Sequence, residues 1–510
     1  MTRYRSILFF LGIEGQLYLL DAVRRRFGVS VAGVVLTQHM QTRIATSAIG
    51  RPDRLYSFPD YYRQHAGEVA ARDSNAIRDR IADLERRWRI DATTTFVYFD
   101  RYLRQCRDYR RMIELMVLYM EFCAHILERE DPVWVRSNVT TFVGTVMQEA
   151  CLGLGIPALK QRTATVGGRM AFSDETCNGN MRGWRRCYEA ASTGRTSPDV
   201  VAAAGTWLNA FRDRPKRPAY AERNSLVSFN AGRFARHLWH GFAVRFSRSY
   251  WGNLLNSSLD RALYLRLPPG SAFLKDFLWR EVRAAWLRRG RLYRDQVDLD
   301  EPFIYLPIQR TPEISTLVHG LEYEDALELV ARAAKFCPAG YRIYVKEHTS
   351  MVGRRPLSAY REMRQFHNVT LVPPTVNTFD LIRRSKAVMT VTSTAGWEAF
   401  LLGKPVLVLG HVFYQEFPNV LKVALNEVGT GRIRDYMDNF QPDEAAIRAA
   451  VIAYFDCSYA CTTGDIGIDI AREDAAQNAE LIVDAIEDQL TRFPLPHAAS
   501  ERRAAVSGSS

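Results

Sequence analysis

The sequence predicts an α/β protein with two Rossmann-like domains that face a central cleft and are joined by a helical connector. The chain has 510 residues, which is more than one hydrophobic core usually organises, so two domains are expected. Strand-like and helix-like patterns alternate in two regions, as is typical of parallel α/β units. A basic and aromatic segment separates these regions. With 47% apolar and 24% charged residues, most of the chain is expected to fold.

The N-terminal domain is predicted over residues 1–215 from its opening strand, loop and helix. The apolar run Ser6–Leu11 ends at the glycine-containing loop 12–15, and a segment with helical periodicity follows from Gln16 to Phe27. A second run rich in β-branched residues, Val29–Leu36, is the expected next strand of a parallel sheet. This order of elements predicts a Rossmann-like domain.

The second domain is predicted over residues 299–490, and the connector over residues 216–298. The connector contains segments such as 279–289, in which aromatic and arginine residues alternate with helical periodicity. Two interpretations stay open for it: a connector that packs its aromatic side chains inward, or a helix that lies on a membrane surface. Residues 491–510 are polar and rich in alanine and serine, and are predicted to be a disordered tail.

Net charge and cysteine usage limit the classes of partner. The formal net charge of +12 indicates an anionic partner, and nucleic acid is the least favoured because zinc-finger spacing and an RNP-type aromatic motif are both lacking. The eight cysteines lack a repeated C-x-x-C unit and indicate neither a zinc site nor a disulfide framework. No apolar run reaches the roughly 18 residues of a membrane-spanning helix. We expect a cytoplasmic protein, with peripheral contact to the anionic inner membrane as an open alternative.

The strongest local pattern is a strand, a turn of small polar residues, a helix and a further strand between residues 387 and 410. The turn contains Ser393, Thr394 and Gly396. Small residues let backbone amides approach an anion closely, and the positive end of the helix dipole points to the same place. The alternative is that Ser393 and Thr394 only cap the helix. Glu398 is expected in the first helical turn, where it receives a ribose hydroxyl or only complements the dipole.

A second pattern is the alternating strand that ends in Lys346, Glu347 and His348. Alternation places Lys346 and His348 on one face and Glu347 on the other. Ligands bind at the carboxyl ends of strands in open α/β sheets. The strand is therefore predicted to bring a cation and an imidazole to a place where a leaving phosphate needs stabilisation.

Other candidate residues follow strand ends. Gln309 precedes a proline-containing loop in which Glu313 is the candidate carboxylate for general acid/base or nucleophilic chemistry. In the N-terminal domain, Glu14 and Asn138 are acceptor-side candidates. The loop 12–15 lacks the three-glycine dinucleotide fingerprint, and the sequence has neither a P-loop nor a G-x-S-x-G elbow.

Four motifs together resemble the C-terminal domain of bacterial capsule polysaccharide biosynthesis proteins, in both order and spacing. They are Gln309-x-x-Pro312-Glu313-x-Ser315, Val345-Lys346-Glu347-His348, Thr392-Ser393-Thr394-Ala395-Gly396-Trp397-Glu398-Ala399 and Gly403-Lys404-Pro405-Val406. The resemblance covers roughly residues 300–420. This family includes enzymes similar to Kdo transferases, which have a GT-B fold and use a CMP-activated acidic sugar. Thr349 stands where the family usually has proline, so the donor or its geometry is expected to differ if that proline shapes the loop.

The resemblance implies a role for each matching residue. It implies donor binding by a set of seven residues: Gln309, Lys346, His348, Ser393, Thr394, Gly396 and Glu398. It implies no metal and no cofactor, because basic side chains and a helix terminus stabilise the leaving group. Glu313 and His348 are then the candidate catalytic residues.

The sequence is compatible with three functions. The first is a metal-independent glycosyltransferase that moves a sugar from a nucleotide-sugar donor, such as CMP-Kdo, to a surface polysaccharide or its glycolipid precursor. The second is a nucleotide-sugar epimerase of the same architecture, and the third is a noncatalytic partner in capsule assembly or export. An epimerase needs no acceptor, so products formed from the donor alone separate the first two.

Overall fold

The computed structural model contains two parallel sheets flanked by helices, and a small antiparallel sheet. It describes the following residues: 4–13, 15–101, 103–136, 141–166, 168–173, 176, 180–215, 239, 279–280, 282–287, 292–293, 297–426, 431–463 and 474–493. The predicted α/β class with two Rossmann-like parallel sheets is confirmed. Most of the predicted connector, residues 216–298, lies outside the described residues.

The first sheet has four parallel strands in the order β3-β2-β1-β4. The strands are β1 (Tyr4–Phe10), β2 (Ser30–Val35), β3 (Arg54–Ser57) and β4 (Glu130–Arg136). Alternate side chains of β1 enter different cores, as the pleat of a strand requires. Leu8 and Phe10 face the helices that follow β3, whereas Ile7 and Phe9 face the opposite layer.

Nine helices with both ends described belong to the first half of the chain. They are α1 (Gln16–Phe27), α2 (Gln38–Thr46), α3 (Phe58–Ala71), α4 (Ser74–Trp88), α5 (Thr94–Phe99), α6 (Tyr109–Arg129), α7 (Phe142–Gly153), α8 (Trp184–Ser192) and α9 (Pro198–Asp213). The predicted helix from Gln16 to Phe27 is confirmed with both ends correct. It ends at Gly28, whose φ of 58° is a left-handed conformation that glycine adopts without strain.

The second sheet has six parallel strands in the order β12-β11-β10-β7-β8-β9. The strands are β7 (Phe303–Ile308), β8 (Arg342–Glu347), β9 (Val369–Val372), β10 (Ala387–Thr390), β11 (Val406–Val408) and β12 (Val420–Lys422). The chain adds strands to one side of β7 and then, from β10, to the other. The order therefore reverses between β7 and β10.

Eight further helices with both ends described accompany or follow this sheet. They are α10 (Ile314–Leu317), α11 (Ala326–Phe336), α12 (Leu357–Met363), α13 (Thr378–Arg384), α14 (Thr394–Leu401), α15 (Arg432–Asp438), α16 (Glu444–Asp456) and α17 (Ala475–Arg492). Short 3-10 helices occur at Leu103–Gln105, Leu321–Tyr323 and Thr349–Met351. All six residues of β7 are buried, as expected for a strand covered on both faces.

Each half of the chain contributes secondary-structure elements that pack against the sheet of the other half. Strands β5 (Lys160–Thr163) and β6 (Met170–Ser173) pair antiparallel with each other, and β6 pairs with β13 (Ser458–Tyr459) from the second half. Helices α8 and α9 contribute Trp184 and Leu208 to a core of the second sheet. In return, α17 packs on α1 in a core of the first sheet. The predicted domain boundaries stay predictions.

The last helix extends slightly beyond the predicted start of the tail. Helix α17 continues to Arg492, so the first two residues of the predicted tail, 491–510, are helical. They are held because Phe493 and Gln489 offer backbone carbonyls to the buried Arg182 guanidinium, at 2.8 Å from Gln489. Residues 494–510 lie outside the described residues. None of the described helices is long and apolar enough to cross a membrane.

Candidate active site

A cleft opens at the carboxyl edge of the second sheet, where strands β7, β8 and β10 end. Six of the residues predicted to act at the site line it: Gln309, Lys346, His348, Ser393, Thr394 and Glu398. They come from three separate segments of the chain. Parallel strands bring their carboxyl ends to one edge, and ligands bind where the strand order reverses. The cleft lies at this reversal.

A direct bond joins the ends of the two strands that flank the reversal. The Gln309 side-chain amide, after β7, donates to Thr392 Oγ1, after β10, at 2.6 Å. The Thr392 hydroxyl in turn donates to the backbone carbonyl of Ser315 at 2.9 Å. The single hydroxyl of Thr392 thus accepts one hydrogen bond and donates another, and both partners lie in or beside the loop after β7. These two bonds hold that loop over the end of β10. Gln309 therefore shapes the cleft as well as lining it.

Lys346 forms the cationic wall of the cleft. Only 5% of the residue is exposed, and its ammonium donates to Thr378 Oγ1 at 2.9 Å and to the Val376 carbonyl. Thr378 is the first residue of helix α13, and Val376 lies just before that helix. They hold a side chain that would otherwise have several rotamers, so the charge is placed at little entropic cost when a ligand binds.

The tautomer of His348 follows from its backbone environment. His348 caps the 3-10 helix Thr349–Met351, and its Nδ1 accepts from the Ser350 amide at 3.2 Å. Ser350 Oγ lies 2.8 Å from the same nitrogen. An Nδ1 that accepts a backbone hydrogen bond places the proton of a neutral imidazole on Nε2. The ring that lines the cleft therefore has a donor on its other nitrogen.

Glu347, which lies between Lys346 and His348 in the sequence, has a structural role that the sequence pattern did not reveal. It is 3% exposed, accepts from Arg355 Nε at 2.9 Å and also accepts from the Tyr360 hydroxyl. Burial raises the pKa of Glu347, and the bonds from Tyr360 and Arg355 oppose that rise. Arg355 also donates to the Gln309 carbonyl at 2.8 Å. The alternation of β8 predicted only that Glu347 lies on the face opposite Lys346 and His348, and nothing local identified Arg355 as its partner.

Ser393 has the capping geometry that the alternative interpretation predicted. Its side chain accepts from the Ala395 amide at 3.2 Å, and its own amide donates to Thr390 Oγ1 at 2.9 Å. The serine also lines the cleft. Capping and ligand contact are therefore compatible, because the N-terminus of α14 and its positive dipole end lie at the cleft.

Gly396 lies behind the cleft wall, and its small size has a packing reason. It does not line the cleft. A Cβ atom at this position would lie 2.4 Å from the hydroxyl oxygen of Tyr414 and 2.8 Å from Thr390 Cγ2. The Tyr414 hydroxyl donates to the Ser393 carbonyl. Tyr414, which the sequence patterns did not indicate, therefore supports the start of α14, and the glycine makes room for it.

Glu398 differs from its predicted location. The expectation of a carboxylate in the first helical turn is wrong, because α14 begins at Thr394 and its first turn has no acidic residue. Glu398 lies in the second turn and is 4% exposed, yet it lines the cleft. A simple interaction with the helix dipole weakens beyond the first turn.

Glu313 lies outside the lining of this cleft, on the loop that reaches toward the first half of the chain. Its Oε1 is 3.4 Å from Arg310 Nε, and it caps the short helix α10. Burial raises its pKa, whereas Arg310 and Arg101 of the first half oppose the rise. The adjoining Arg104 and Glu324 form an ion pair of 2.7 Å between the halves. Glu313 is thus held at their junction.

The two acceptor-side candidates, Glu14 and Asn138, lie outside the described residues. Gly12, near Glu14, follows strand β1, and Arg136, near Asn138, is the last residue of strand β4. These two strands are adjacent in the first sheet. Arg136 donates to the Gln161 side chain at 2.8 Å. The acceptor-side role of Glu14 and Asn138 stays a prediction.

Comparison with known proteins supports the resemblance over the second half. Residues 266–417 match the model of a family described as capsule polysaccharide biosynthesis protein. A segment of 144 residues is 30% identical to protein FixF of Sinorhizobium fredii. That match covers 27% of this chain and 32% of FixF, so the chain spans about a third of that curated relative.

Solved structures with similarity to the chain include two KpsC transferases of Thermosulfurimonas dismutans. The β-Kdo 2,4 transferase is 17% identical, with a TM-score of 0.34 and coverage of 69% of this chain and 88% of that chain. The β-Kdo 2,7 transferase is 10% identical, with a TM-score of 0.31 and coverage of 94% and 99%. A structure described as a putative UDP-N-acetylglucosamine 2-epimerase of Listeria monocytogenes is 11% identical, with a TM-score of 0.25 and coverage of 97% of this chain and 99% of that chain.

Proposed function

We propose that this chain, whose residues 266–417 match the model of a family described as capsule polysaccharide biosynthesis protein, is a glycosyltransferase. It moves a sugar from a nucleotide-sugar donor to a capsular or other surface polysaccharide, or to its lipid-linked precursor. One observation carries the proposal: Gln309, Lys346, His348 and Ser393 line one cleft at the strand-order reversal of the second sheet. This is where an open α/β sheet holds a ligand.

The chemistry of the cleft suits a departing nucleotide. In the proposed reaction, an acceptor hydroxyl oxygen bonds to the anomeric carbon while the bond from that carbon to the phosphate oxygen breaks. The electron pair of that bond leaves with the phosphate, so negative charge grows on the nucleotide. The ammonium of Lys346 and the N-terminus of α14 stabilise this charge, and the Nε2 proton of His348 is a third donor. Gln309 and Thr394 contact the same donor, and Glu398 receives a ribose hydroxyl.

The acceptor must lose its hydroxyl proton during transfer. Glu313 is our candidate for the base, because burial raises its pKa toward the range in which a carboxyl group exchanges protons efficiently. Its location at the junction between the two halves supports an approach to an acceptor held there. Glu14 and Asn138 remain our candidates for acceptor contacts.

We further propose that the donor is a CMP-activated acidic sugar such as CMP-Kdo and that no metal or cofactor is needed. The four motifs that resemble the family and the net charge of +12 support this choice. Peripheral contact with the anionic inner membrane would bring the enzyme to a lipid-linked acceptor, and the same charge supports it.

Nucleotide binding tests the proposal first. The melting temperature of the purified chain is measured with CMP, UDP, GDP and dTDP, with and without magnesium, because a ligand that binds only the native state raises stability. A shift with CMP that does not need magnesium is expected. A shift with another nucleotide only would replace the donor, and no shift with any of them would contradict the transferase proposal.

Product analysis then separates transfer from epimerisation. The donor is incubated alone and with a candidate acceptor glycan, and the sugar products are identified. Transfer predicts an elongated glycan that appears only with acceptor, whereas an isomerised donor in the absence of acceptor would show that the chain is an epimerase. Binding without either product would favour a role in assembly or export.

A further inference from the structure

Two basic side chains lie together at the carboxyl edge of the second sheet, beside the donor cleft but outside it. His411 follows strand β11, and Lys422 is the last residue of β12. Neither residue lines the donor cleft. Because β11 pairs in parallel with β10, and β12 in parallel with β11, their carboxyl ends point to the same edge of the sheet as the cleft. We call His411 and Lys422 the edge pair.

Lys422 is a half-buried cation that lies near the Glu322 carboxylate without an ion pair to any described residue. Its ammonium donates to the Gly410 carbonyl, and among the described residues it forms no ion pair. Burial lowers its pKa to about 8, although the nearby Glu322 opposes this shift. A buried charge is costly unless a group of opposite charge accompanies it. An anion that binds beside Lys422 would restore that balance.

His411 adds a second nitrogen group at the same place. The residue is exposed, so a ligand can reach it from solvent. Burial of part of the ring, and then the charge of Lys422, lower the pKa of His411, and Glu322 opposes them. The effect of Lys422 on the pKa of His411 shows that the lysine charge reaches the imidazole. An anion between them would relieve this repulsion and gain from both groups.

Close backbone packing fixes the edge pair relative to the donor cleft. The His411 amide donates to the His319 carbonyl at 2.7 Å. A Cβ atom at Gly410 would lie 2.7 Å from that same carbonyl and 2.8 Å from Thr392 Cγ2. Thr392 is the residue that Gln309 binds. The segment that leads to His411 therefore packs closely against Thr392, which is bound to a residue of the donor cleft.

We propose that His411 and Lys422 form a second anion-binding subsite that holds a carboxylate or phosphate group of the substrate, next to the donor cleft. For the identity of the substrate the proposal rests on the proposed function, since an acidic sugar or a charged acceptor supplies such a group. The binding of the anion itself rests only on the geometry of the edge pair.

Lys404 provides a matched control. It is also a partly buried lysine that donates to a backbone carbonyl, that of Ser385 at 3.4 Å, and burial lowers its pKa. It precedes β11, however, and so lies at the opposite edge of the same sheet. Lys404→Met and Lys422→Met therefore make the same chemical change at the two edges, and methionine retains much of the apolar stem.

The test measures anion binding by the full chain. Inorganic phosphate and the free acidic monosaccharide Kdo are titrated in parallel at constant ionic strength set by chloride, and dissociation constants are taken from the shift of melting temperature. For at least one probe we expect saturable binding that Lys422→Met weakens about tenfold, which corresponds to about 1.4 kcal/mol. Lys404→Met should leave it unchanged. The probe that responds identifies the group as phosphate or carboxylate.

A second variant protects the test against misfolding. His411→Gln changes an exposed residue, and it should weaken the same probe while melting close to the unmodified chain. Equal binding by Lys422→Met, His411→Gln and the unmodified chain would overturn the inference, as would binding that Lys404→Met weakens equally. CMP binding is measured on the same samples. If the edge-pair variants bind the anion as well as the unmodified chain does, while CMP still binds, only the subsite is refuted. If these variants weaken anion binding but no nucleotide binds, only the transferase proposal is refuted.

Discussion

The Gln309 side-chain amide lies 2.6 Å from the hydroxyl oxygen of Thr392 and joins two strand ends that are 83 residues apart in the chain. This bond crosses the place where the order of the second sheet reverses. It ties the loop that leads to Glu313 to the turn that precedes α14. The side-chain hydrogen bond of Gln309 thus connects the proposed catalytic segment to the proposed donor-binding segment.

Replacement of Gln309 by alanine should weaken nucleotide binding more than it weakens the fold. The loss of one hydrogen bond costs about 1 kcal/mol of stability, while a loosened cleft should bind CMP about tenfold more weakly, a difference of about 1.4 kcal/mol. Urea unfolding and CMP titration measure the two effects. Unchanged CMP affinity would show that this bond has no part in donor binding.

Replacement of His348 by alanine should abolish transfer while the melting temperature stays within a few degrees, because the side chain lines a cleft rather than a core. His367→Ala is the control, since His367 is exposed on the same domain and should retain full activity. Initial rates and thermal unfolding are measured for both. A large loss of stability in His348→Ala alone would assign the histidine a structural role.

Gly396→Ala should destabilise the chain by about 1–3 kcal/mol, because the added methyl group overlaps the Tyr414 hydroxyl. Tyr414→Phe should cost about 1 kcal/mol, because the Ser393 carbonyl loses its donor. The double variant removes the oxygen that the methyl group meets first. Its loss should therefore be smaller than the sum of the two single losses in a double-mutant cycle of urea unfolding. Strict additivity would contradict this contact.

Arg355→Met should destabilise the chain by about 3 kcal/mol near neutral pH, because it leaves the Glu347 carboxylate buried without its ion pair. Burial already raises the pKa of Glu347 above its ordinary value of 4.5, so the carboxyl group binds its proton more tightly in the folded state than in the unfolded state. The variant should raise this pKa further. The free energy of unfolding therefore decreases as the pH rises from the ordinary pKa of Glu347 in the unfolded state toward its raised pKa in the folded state.

The Arg355→Met defect should accordingly be smaller at pH 5.5 than at pH 7.5, as measured by urea unfolding at both values. Arg354→Met is a neighbouring control that lacks the bond to Glu347 and should show little dependence on pH. A defect of equal size at both pH values would show that Glu347 stays charged throughout, or that Arg355 acts mainly through its bond to Gln309.

Local patterns predicted the elements of the fold well. The helix Gln16–Phe27 has the predicted ends, and the strand from Ala387 has its predicted start. Apolar periodicity and glycine or proline at the ends determine such elements, and all of these signals lie within a few residues of each other. The cleft lining by Lys346, His348 and Ser393 could also be predicted, because carboxyl ends of parallel strands share an edge.

Other features depended on residues far apart in the sequence. The partners of Glu347 and the packing reason for Gly396 involve Arg355, Tyr360 and Tyr414, which no motif connects to them. The return of α17 to α1 likewise joins the two ends of the chain. By itself the sequence determined which segments become strands and helices and which side chains stand at their ends, since those choices follow from local conformational preference. Only the tertiary structure decided which ends meet, because burial of apolar surface and satisfaction of buried polar groups act between elements that are distant along the chain.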